Sequence, residues 1–121
     1  MNSRDKGKRG ERLWVAALSF FGFKGTRTGH HQSQPGCESP DVTCSDTSPI
    51  HWEVKFSKTA RLGDWMAQAK GDAKDWQVPV VVWRNKGKWV AIFPDAENLL
   101  ELLQHADLRA LEEQKQLEQK Q

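Results

Sequence analysis

The sequence Ile-His-Trp-Glu-Val-Lys-Phe at residues 50–56 decides the fold. Two of its apolar residues, Trp52 and Val54, alternate with two charged ones, Glu53 and Lys55. A period of two is typical of a β-strand, because successive side chains leave a strand on opposite faces. The sequence therefore predicts a half-buried strand whose apolar face enters the core and whose other face presents Glu53 and Lys55 side by side.

Helices and strands alternate on both sides of this strand. Apolar residues recur at helical spacing over 10–21 and 62–76, and the β-branched run over 78–83 is typical of a strand inside a sheet. The predicted elements, in chain order, are a helix over 10–21, strands over 24–28, 40–44 and 50–56, a helix over 62–76, strands over 78–83 and 88–93, and a helix from 95 to about 105. We therefore expect an α/β fold with a mixed β-sheet flanked by helices, in the order α-β-β-β-α-β-β-α.

Length and composition fit one domain. A chain of 121 residues with 37% hydrophobic and 28% charged residues is typical of a globular protein with a single core. We expect residues 1–111 to form this domain, with residues 1–9 as a basic arm or first helical turn and residues 112–121 as a polar tail. No apolar run approaches the ~20 residues of a membrane span, and no secretory signal follows the charged N-terminus. The expectation is an intracellular, cytoplasmic protein without a membrane partner.

Charge is distributed unevenly along the chain. Residues 1–30 contain seven Lys and Arg against two acids, a net charge of +5, whereas residues 95–121 contain three against seven, a net charge of −4. A basic N-terminal region favours a polyanionic partner such as a nucleic acid, although a solvated surface with chance clustering gives the same count. The basic residues expected to contact phosphate are Arg4, Lys6, Lys8, Arg9, Lys58 and Arg61.

The polar face of the predicted strand has the composition of a metal site for phosphodiester chemistry. Asp41 precedes Glu53 by twelve residues, where a hairpin partner strand would bring the two carboxylates opposite each other. Converging carboxylates suit Mg²⁺, which prefers oxygen ligands, and a lysine beside them suits the stabilisation of negative charge. An ordinary solvated strand face is the alternative interpretation of the Glu53 and Lys55 pair.

The spacing of these residues resembles a known nuclease motif. Pro-Asp at residues 40–41 followed by Glu-Val-Lys at residues 53–55 is similar to the PD-(D/E)xK motif. Gly-Lys-Arg-Gly-Glu-Arg at residues 7–12, opening the first helix, and Gly-Phe at residues 22–23, closing it, are similar to the archaeal-type Holliday junction resolvases, which also occur in phages. The resemblance covers roughly residues 5–95, and it implies a restriction-endonuclease-like fold.

The resemblance also implies roles for particular residues. Asp41, Glu53 and Glu11 match the acidic ligands of a Mg²⁺ site in which Mn²⁺ substitutes, and Lys55 matches a catalytic lysine. The carbonyl of Val54 would complete the protein ligands, and no organic cofactor is implied. The further residues implied to contact DNA are Arg27, His30, His31, Ser33 and Gln68.

The function expected from the resemblance is structure-selective cleavage of DNA. A Mg²⁺-dependent Holliday junction resolvase, phage-encoded and working as a homodimer in the host cytoplasm, would place paired nicks in four-way junctions, because a two-fold dimer matches a two-fold substrate. A restriction- or repair-type endonuclease acting on other branched, duplex or single-stranded DNA is the alternative within the class. A catalytically inactive DNA-binding module is the alternative from another class.

Other noticeable residues favour structural interpretations. Cys37 and Cys44 are predicted to be free thiols, and their spacing relative to the histidines, His51 included, matches no common zinc site. The second Pro-Asp pair, at residues 94–95, is predicted to cap the last helix. The tryptophans predicted to lie in the core are Trp14, Trp52, Trp65, Trp76 and Trp83.

Overall fold

Three helices and five strands make up the described part of the computed structural model, which comprises residues 3–27 and 42–120. In chain order the elements are α1 (Ser3–Phe20), β1 (Thr26–Arg27), β2 (Val42–Thr43), a short 3-10 helix (Ser45–Thr47), β3 (Ile50–Lys55), α2 (Leu62–Asp72), β4 (Val78–Asn85), β5 (Lys88–Ile92) and α3 (Ala96–Gln119). The predicted mixed α/β architecture and the predicted order of helices and strands are confirmed.

The five strands form one mixed sheet in the order β1-β2-β3-β4-β5. β3 and β4 are parallel, with Glu53 opposite Val81, and every other neighbouring pair is antiparallel. A parallel pair needs a crossover connection, and α2 provides it by packing over one face of β3 and β4. The pairing of β2 with β3 places Val42 opposite Trp52, so the predicted antiparallel partner of the central strand is confirmed.

The sheet separates two apolar clusters. The larger contains Trp52 and Val54 of β3 and lies between the sheet and α1. The smaller lies under α2, where Trp65 and Ala69 contact Val81 of β4. Because β4 contributes to both clusters, it is buried on both faces, as its β-branched sequence predicts.

The second face of β3 is buried as well, and here the prediction of a half-buried strand is wrong. His51 and Glu53 lie on the face opposite Trp52, and each is only 2% exposed. The reason is the crossover, which places α2 over this face. Alternation along a strand reveals which face is polar, but it carries no information about what covers that face.

α1 begins earlier than predicted and ends where predicted. The helix starts at Ser3, so residues 3–9 form its first two turns. Of the two predicted alternatives for this segment, a basic arm or a first helical turn, the structure shows the helical one. Beyond its end, Gly22 adopts a φ of 89°, and the backbone N–H of Phe23 donates to the carbonyl of Leu18 at 2.9 Å. This hydrogen bond, which spans five residues, is typical of a Schellman C-cap. It ends the helix with glycine in the left-handed conformation, which a residue with a side chain rarely adopts.

α2 is shorter than predicted. It ends at Asp72, because the backbone N–H of Lys74 donates to the side chain of Gln77 and starts a turn. Trp76 therefore lies beyond the helix and is 62% exposed, so its predicted place in the core is wrong. The other four tryptophans predicted to lie in the core are buried or partly buried.

α3 is longer than predicted and packs lightly. The predicted cap is confirmed, because the carboxylate of Asp95 accepts from the backbone N–H of Asn98 at 2.9 Å. The helix continues to Gln119, since no glycine or proline interrupts residues 106–119. No residue of α3 is buried, and Leu102 is its partly buried contact with the larger cluster.

Two further apolar predictions concern α1 and the cysteines. Phe20 and Phe21 end the apolar helical spacing of residues 10–21, which predicted that they pack, but they are 83% and 73% exposed, because burial on this helix ends at Leu18. Cys44 is a free thiol, as predicted, and it is buried, whereas Cys37 lies outside the described residues. Among the helices in the described ranges, none combines the length and apolar character that crossing a bilayer requires.

Gly10→Ala is expected to destabilise the fold by about 1–3 kcal/mol. A Cβ at Gly10 would lie 2.9 Å from the Cβ of Phe56, where α1 crosses the end of β3. Gly7→Ala is the matched control on the same helix, because a Cβ there meets nothing within 4 Å. The control should be neutral or stabilising by up to about 1 kcal/mol. Urea unfolding measures both variants, and equal effects would contradict the close packing.

Candidate functional site

The polar face of β3 and one face of α2 form the candidate site. Glu53 and Lys55 are separated by about 6.6 Å along the strand, and Gln68 and Asp72 by about 6 Å along the helix. The crossover makes α2 run antiparallel to β3, and the two spacings nearly match. Gln68 therefore meets Lys55, and one helical turn further on Asp72 meets His51 and Glu53.

Glu53 lies between two nitrogen-bearing side chains. Its Oε1 is 3.2 Å from Nζ of Lys55, and its Oε2 is 3.7 Å from Nε2 of His51. The side chain of Glu53 is 2% exposed and that of Lys55 is 20% exposed, so the ammonium reaches the surface in front of the carboxylate. Lys55 Nζ also donates to Oε1 of Gln68 at 2.9 Å. The predicted side-by-side arrangement of Glu53 and Lys55 is confirmed, and Gln68 extends it by accepting the hydrogen bond from Lys55.

His51, Glu53 and Asp72 form a group of potential metal ligands. One ligand atom from each lies within 4.8 Å of the other two, and an imidazole with two carboxylates is a common ligand set. Sequence analysis missed Asp72, although its position one helical turn after Gln68 was the available signal. It considered His51 only together with the cysteines and the other histidines, whereas the structure places it with two carboxylates.

Two buried side-chain nitrogens lack a hydrogen-bond partner within the part of the chain that is described, namely Nε1 of Trp14 and Nε2 of His51. A buried polar group without a partner costs about 1–3 kcal/mol. The indole of Trp14 lies among aromatic rings, 4.9 Å from that of Trp52 and 5.0 Å from that of Trp89. The imidazole nitrogen of His51 instead faces a carboxylate.

Glu11 does not belong to this group of ligands. It lies on α1, which covers the opposite face of the sheet, and its Oε2 is 3.0 Å from Nε of Arg27 on β1. Both side chains are partly buried, so this ion pair attaches α1 to the edge of the sheet. The structure thus brings together Glu53, Lys55 and Gln68 from the predicted site, and it gives Glu11 and Arg27 a contact with each other.

Several predicted site residues cannot be placed. Asp41, predicted as a metal ligand, lies outside the described residues, and so do His30, His31 and Ser33 of the predicted DNA-contacting loop. The side chain of Arg4 is likewise outside the description, although its backbone belongs to α1.

A groove lined by basic side chains lies where β3 ends, between the start of α1 and the turn joining β4 to β5. Its volume is about 700 Å³, and we call it the basic groove. Apolar atoms of Leu13 and Phe56 contribute to its wall, and the guanidinium of Arg9 lies 5.7 Å from the centre of the Phe56 ring. No acidic side chain occurs among the described residues that line it. The cationic residues of the basic groove are Lys6, Arg9, Lys58, Arg84 and Lys86.

The basic groove contains both predicted and unpredicted residues. Lys6, Arg9 and Lys58 were predicted to contact phosphate. Arg84 and Lys86 were missed, because they lie between the predicted strands over 78–83 and 88–93, in a connection interpreted only as structure. The remaining predicted cations, Lys8 and Arg61, do not line the groove.

A second pocket, which is apolar and has a volume of about 560 Å³, lies on the face of the sheet that α1 covers, opposite to the face that carries Glu53. Its wall includes Trp14 of α1, Phe21 directly after α1, Trp89 of β5 and Leu102 of α3. Neither Glu53 nor Lys55 lines it, so this pocket is separate from the candidate site.

Comparison with known proteins gave no match, whether with protein-family models, with curated proteins or with solved structures.

Replacing Arg84 and Lys86 together by Ala is expected to weaken binding of duplex DNA and to make it less dependent on salt. Each phosphate contact that is lost should lower the slope of log K against log salt by about 1. Fluorescence anisotropy over a range of KCl concentrations measures both quantities. The control replaces Lys115 and Lys120, at the end of α3, together by Ala. It has the same change in charge and should retain both the affinity for duplex DNA and its dependence on salt. Equal losses in the two double variants would contradict a role for the basic groove.

Proposed function

We propose that this chain is a metal-dependent endonuclease that hydrolyses phosphodiester bonds in DNA. The observation that carries the proposal is the buried carboxylate of Glu53, which has Lys55 at 3.2 Å on one side and the potential ligands His51 and Asp72 on the other. A charged group is rarely buried without a partner of opposite charge, and such groups concentrate at functional sites.

Phosphodiester hydrolysis needs an oriented water, neutralisation of the phosphoryl oxygens and stabilisation of the leaving oxygen. The ammonium of Lys55 would orient the water or neutralise the phosphoryl oxygens, because it is partly exposed and held in position from two sides. Glu53 Oε1 and the side-chain oxygen of Gln68 both contact its Nζ, so the lysine has little freedom to turn away. A fixed positive charge at the reacting group lowers a barrier more than a mobile one.

The donor set near Lys55 fits a divalent cation. Glu53 and Asp72 supply carboxylate oxygens within 4.8 Å of each other, and the resemblance adds Asp41 as a further ligand. A bound divalent cation would lower the pKa of a water ligand and polarise the phosphate. The role of these carboxylates is to hold the cation beside the ammonium.

The basic groove supports DNA as the substrate. Phe56 and Lys58 of its wall follow Lys55 along the chain within three residues. A nucleic-acid backbone lying in this groove would be held by cations from three separate elements, without any contact that depends on base sequence.

Within this class, the proposed substrate is a four-way DNA junction, the proposed fold family is restriction-endonuclease-like, and the proposed active form is a homodimer. These finer proposals are supported by the resemblance of residues 5–95 to the archaeal-type Holliday junction resolvases. A chain of 121 residues is also small compared with a four-way junction, and a two-fold dimer would supply two sites in matching orientation.

Glu53→Gln and Lys55→Ala are each expected to lower the rate of DNA cleavage by about 10²-fold or more, because loss of one electrostatic contact to the reacting group has effects of this size. The experiment incubates each protein with a four-way junction, a matched linear duplex and a single strand, with Mg²⁺ and with chelator. Glu101→Gln, an exposed acid on α3, is the matched control and should cleave like the unaltered chain. Circular dichroism checks that each variant is folded.

The outcomes separate the alternatives. Paired nicks in the junction that require metal, Glu53 and Lys55 would support a resolvase. Equal cleavage of linear duplex would favour a restriction- or repair-type enzyme. Binding of DNA by the unaltered chain without any cleavage would contradict the proposal and leave a DNA-binding module.

A further inference from the structure

We propose that His51, Glu53 and Asp72 form a binding site for a divalent transition-metal ion, with the Nε2 atom of His51 as a nitrogen ligand. The inference rests on the site of the proposed function, because Glu53 and Asp72 are the carboxylates that would hold its cation, and it adds a nitrogen ligand that a magnesium nuclease does not require. It also does not depend on DNA cleavage, since metal binding can be measured without DNA.

The first argument is the state of the imidazole. His51 is 2% exposed, and its Nε2 has no hydrogen-bond partner within residues 3–27 and 42–120. The other orphaned nitrogen in these ranges, Nε1 of Trp14, is an indole that can only donate a hydrogen and has aromatic neighbours. An imidazole nitrogen also has an electron pair that can bind a metal. This one faces the carboxylate of Glu53, and His51 belongs with Glu53 and Asp72 to one group of potential ligands.

The second argument is the distance between the groups. Nε2 of His51 is 3.7 Å from Oε2 of Glu53. An N–H···O hydrogen bond needs about 2.7–3.2 Å, so the two atoms are too far apart to bond directly. Two ligands placed about 2.1 Å from one tetrahedral ion lie about 3.4 Å from each other. The observed gap is close to the separation that a shared ion imposes. Asp72 supplies the third member of a group in which one ligand atom per residue lies within 4.8 Å of the other two.

The third argument is that the two carboxylate oxygens of Glu53 have different neighbours. Its Oε1 contacts Nζ of Lys55, whereas its Oε2 is the oxygen that faces His51. A cation bound at Oε2 therefore leaves the contact with the lysine in place. One carboxylate can hold the ion with one oxygen and orient the ammonium with the other.

The site is also held by rigid elements. His51 and Glu53 lie on β3, which is paired on both sides within the sheet. Asp72 lies on α2, whose buried residues Trp65 and Ala69 fix it against β4. Ligands fixed in this way lose little freedom on binding an ion, which favours affinity and selectivity.

The ligand chemistry selects the kind of ion. Mg²⁺ and Ca²⁺ prefer oxygen ligands alone, whereas Mn²⁺, Co²⁺ and Zn²⁺ also accept imidazole nitrogen. A set of one nitrogen and two carboxylate oxygens therefore favours the transition-metal ions over Mg²⁺ at this position.

Isothermal titration calorimetry on the full chain without DNA tests the site, with MnCl₂ and MgCl₂ as titrants. One Mn²⁺ per chain is expected to bind more tightly than Mg²⁺. His51→Gln and Asp72→Asn should each weaken Mn²⁺ binding by roughly tenfold or more, because even residues that only support a ligand change affinity by 10–100-fold. The matched controls are His105→Gln, an exposed histidine of α3, and Asp64→Asn, an exposed acid of α2, and both should bind like the unaltered chain. Mn²⁺ binding that survives both site variants unchanged would overturn the proposal.

A second measurement keeps the test decisive if a variant at buried His51 fails to fold. ZnCl₂ is added to the unaltered chain labelled with ¹⁵N, and the side-chain nitrogens of its histidines are followed by NMR. A large shift of Nε2 in His51, with little change in His105, is the expected result, and an unchanged His51 signal would overturn the proposal. Lys55→Ala separates this inference from the proposed nuclease function, because it should abolish cleavage while Mn²⁺ binding persists.

Discussion

The parallel pairing of β3 with β4 is the constraint on which the rest of the structure depends. Parallel neighbours cannot be joined by a tight turn, so the chain must cross over one face of the sheet, and α2 forms in that connection. The face that α2 covers is the polar face of β3. Charged groups that would otherwise lie in water are thereby enclosed between a strand and a helix, and the enclosure supplies Gln68 and Asp72 as their neighbours.

Enclosing Glu53 and His51 is unfavourable in itself. The transfer of an ionised carboxylate out of water costs several kcal/mol even after local relaxation, and one lysine contact at 3.2 Å offsets part of this cost. A chain selected for stability alone would place apolar residues at both positions, as it does at Val81, the residue of the adjacent strand opposite Glu53. Burial of these two polar side chains between well-packed clusters therefore has a cost in stability, and this cost supports the proposal of a functional site.

Local patterns predicted the fold better than the site. Alternation placed Glu53 and Lys55 on one face, because the period of a strand is a property of the backbone. The end of α2 was mispredicted, because the apolar Trp76 continued the helical spacing although a side-chain hydrogen bond had already started a turn. Asp72 and Lys86 were missed for a common reason. Each joins a functional surface through elements distant in sequence, and no short-range pattern reports which elements meet.

α3 has a consequence for how the molecule approaches a charged partner. The helix contains 24 residues and is therefore about 36 Å long. It contains six acids against two Lys and Arg, whereas the basic groove contains five cations and no residue of α3. This separation gives the chain an electric dipole. In the field of a polyanion the dipole exerts a torque that turns the groove toward the partner and the helix away from it, so that productive encounters become more frequent as ionic strength falls.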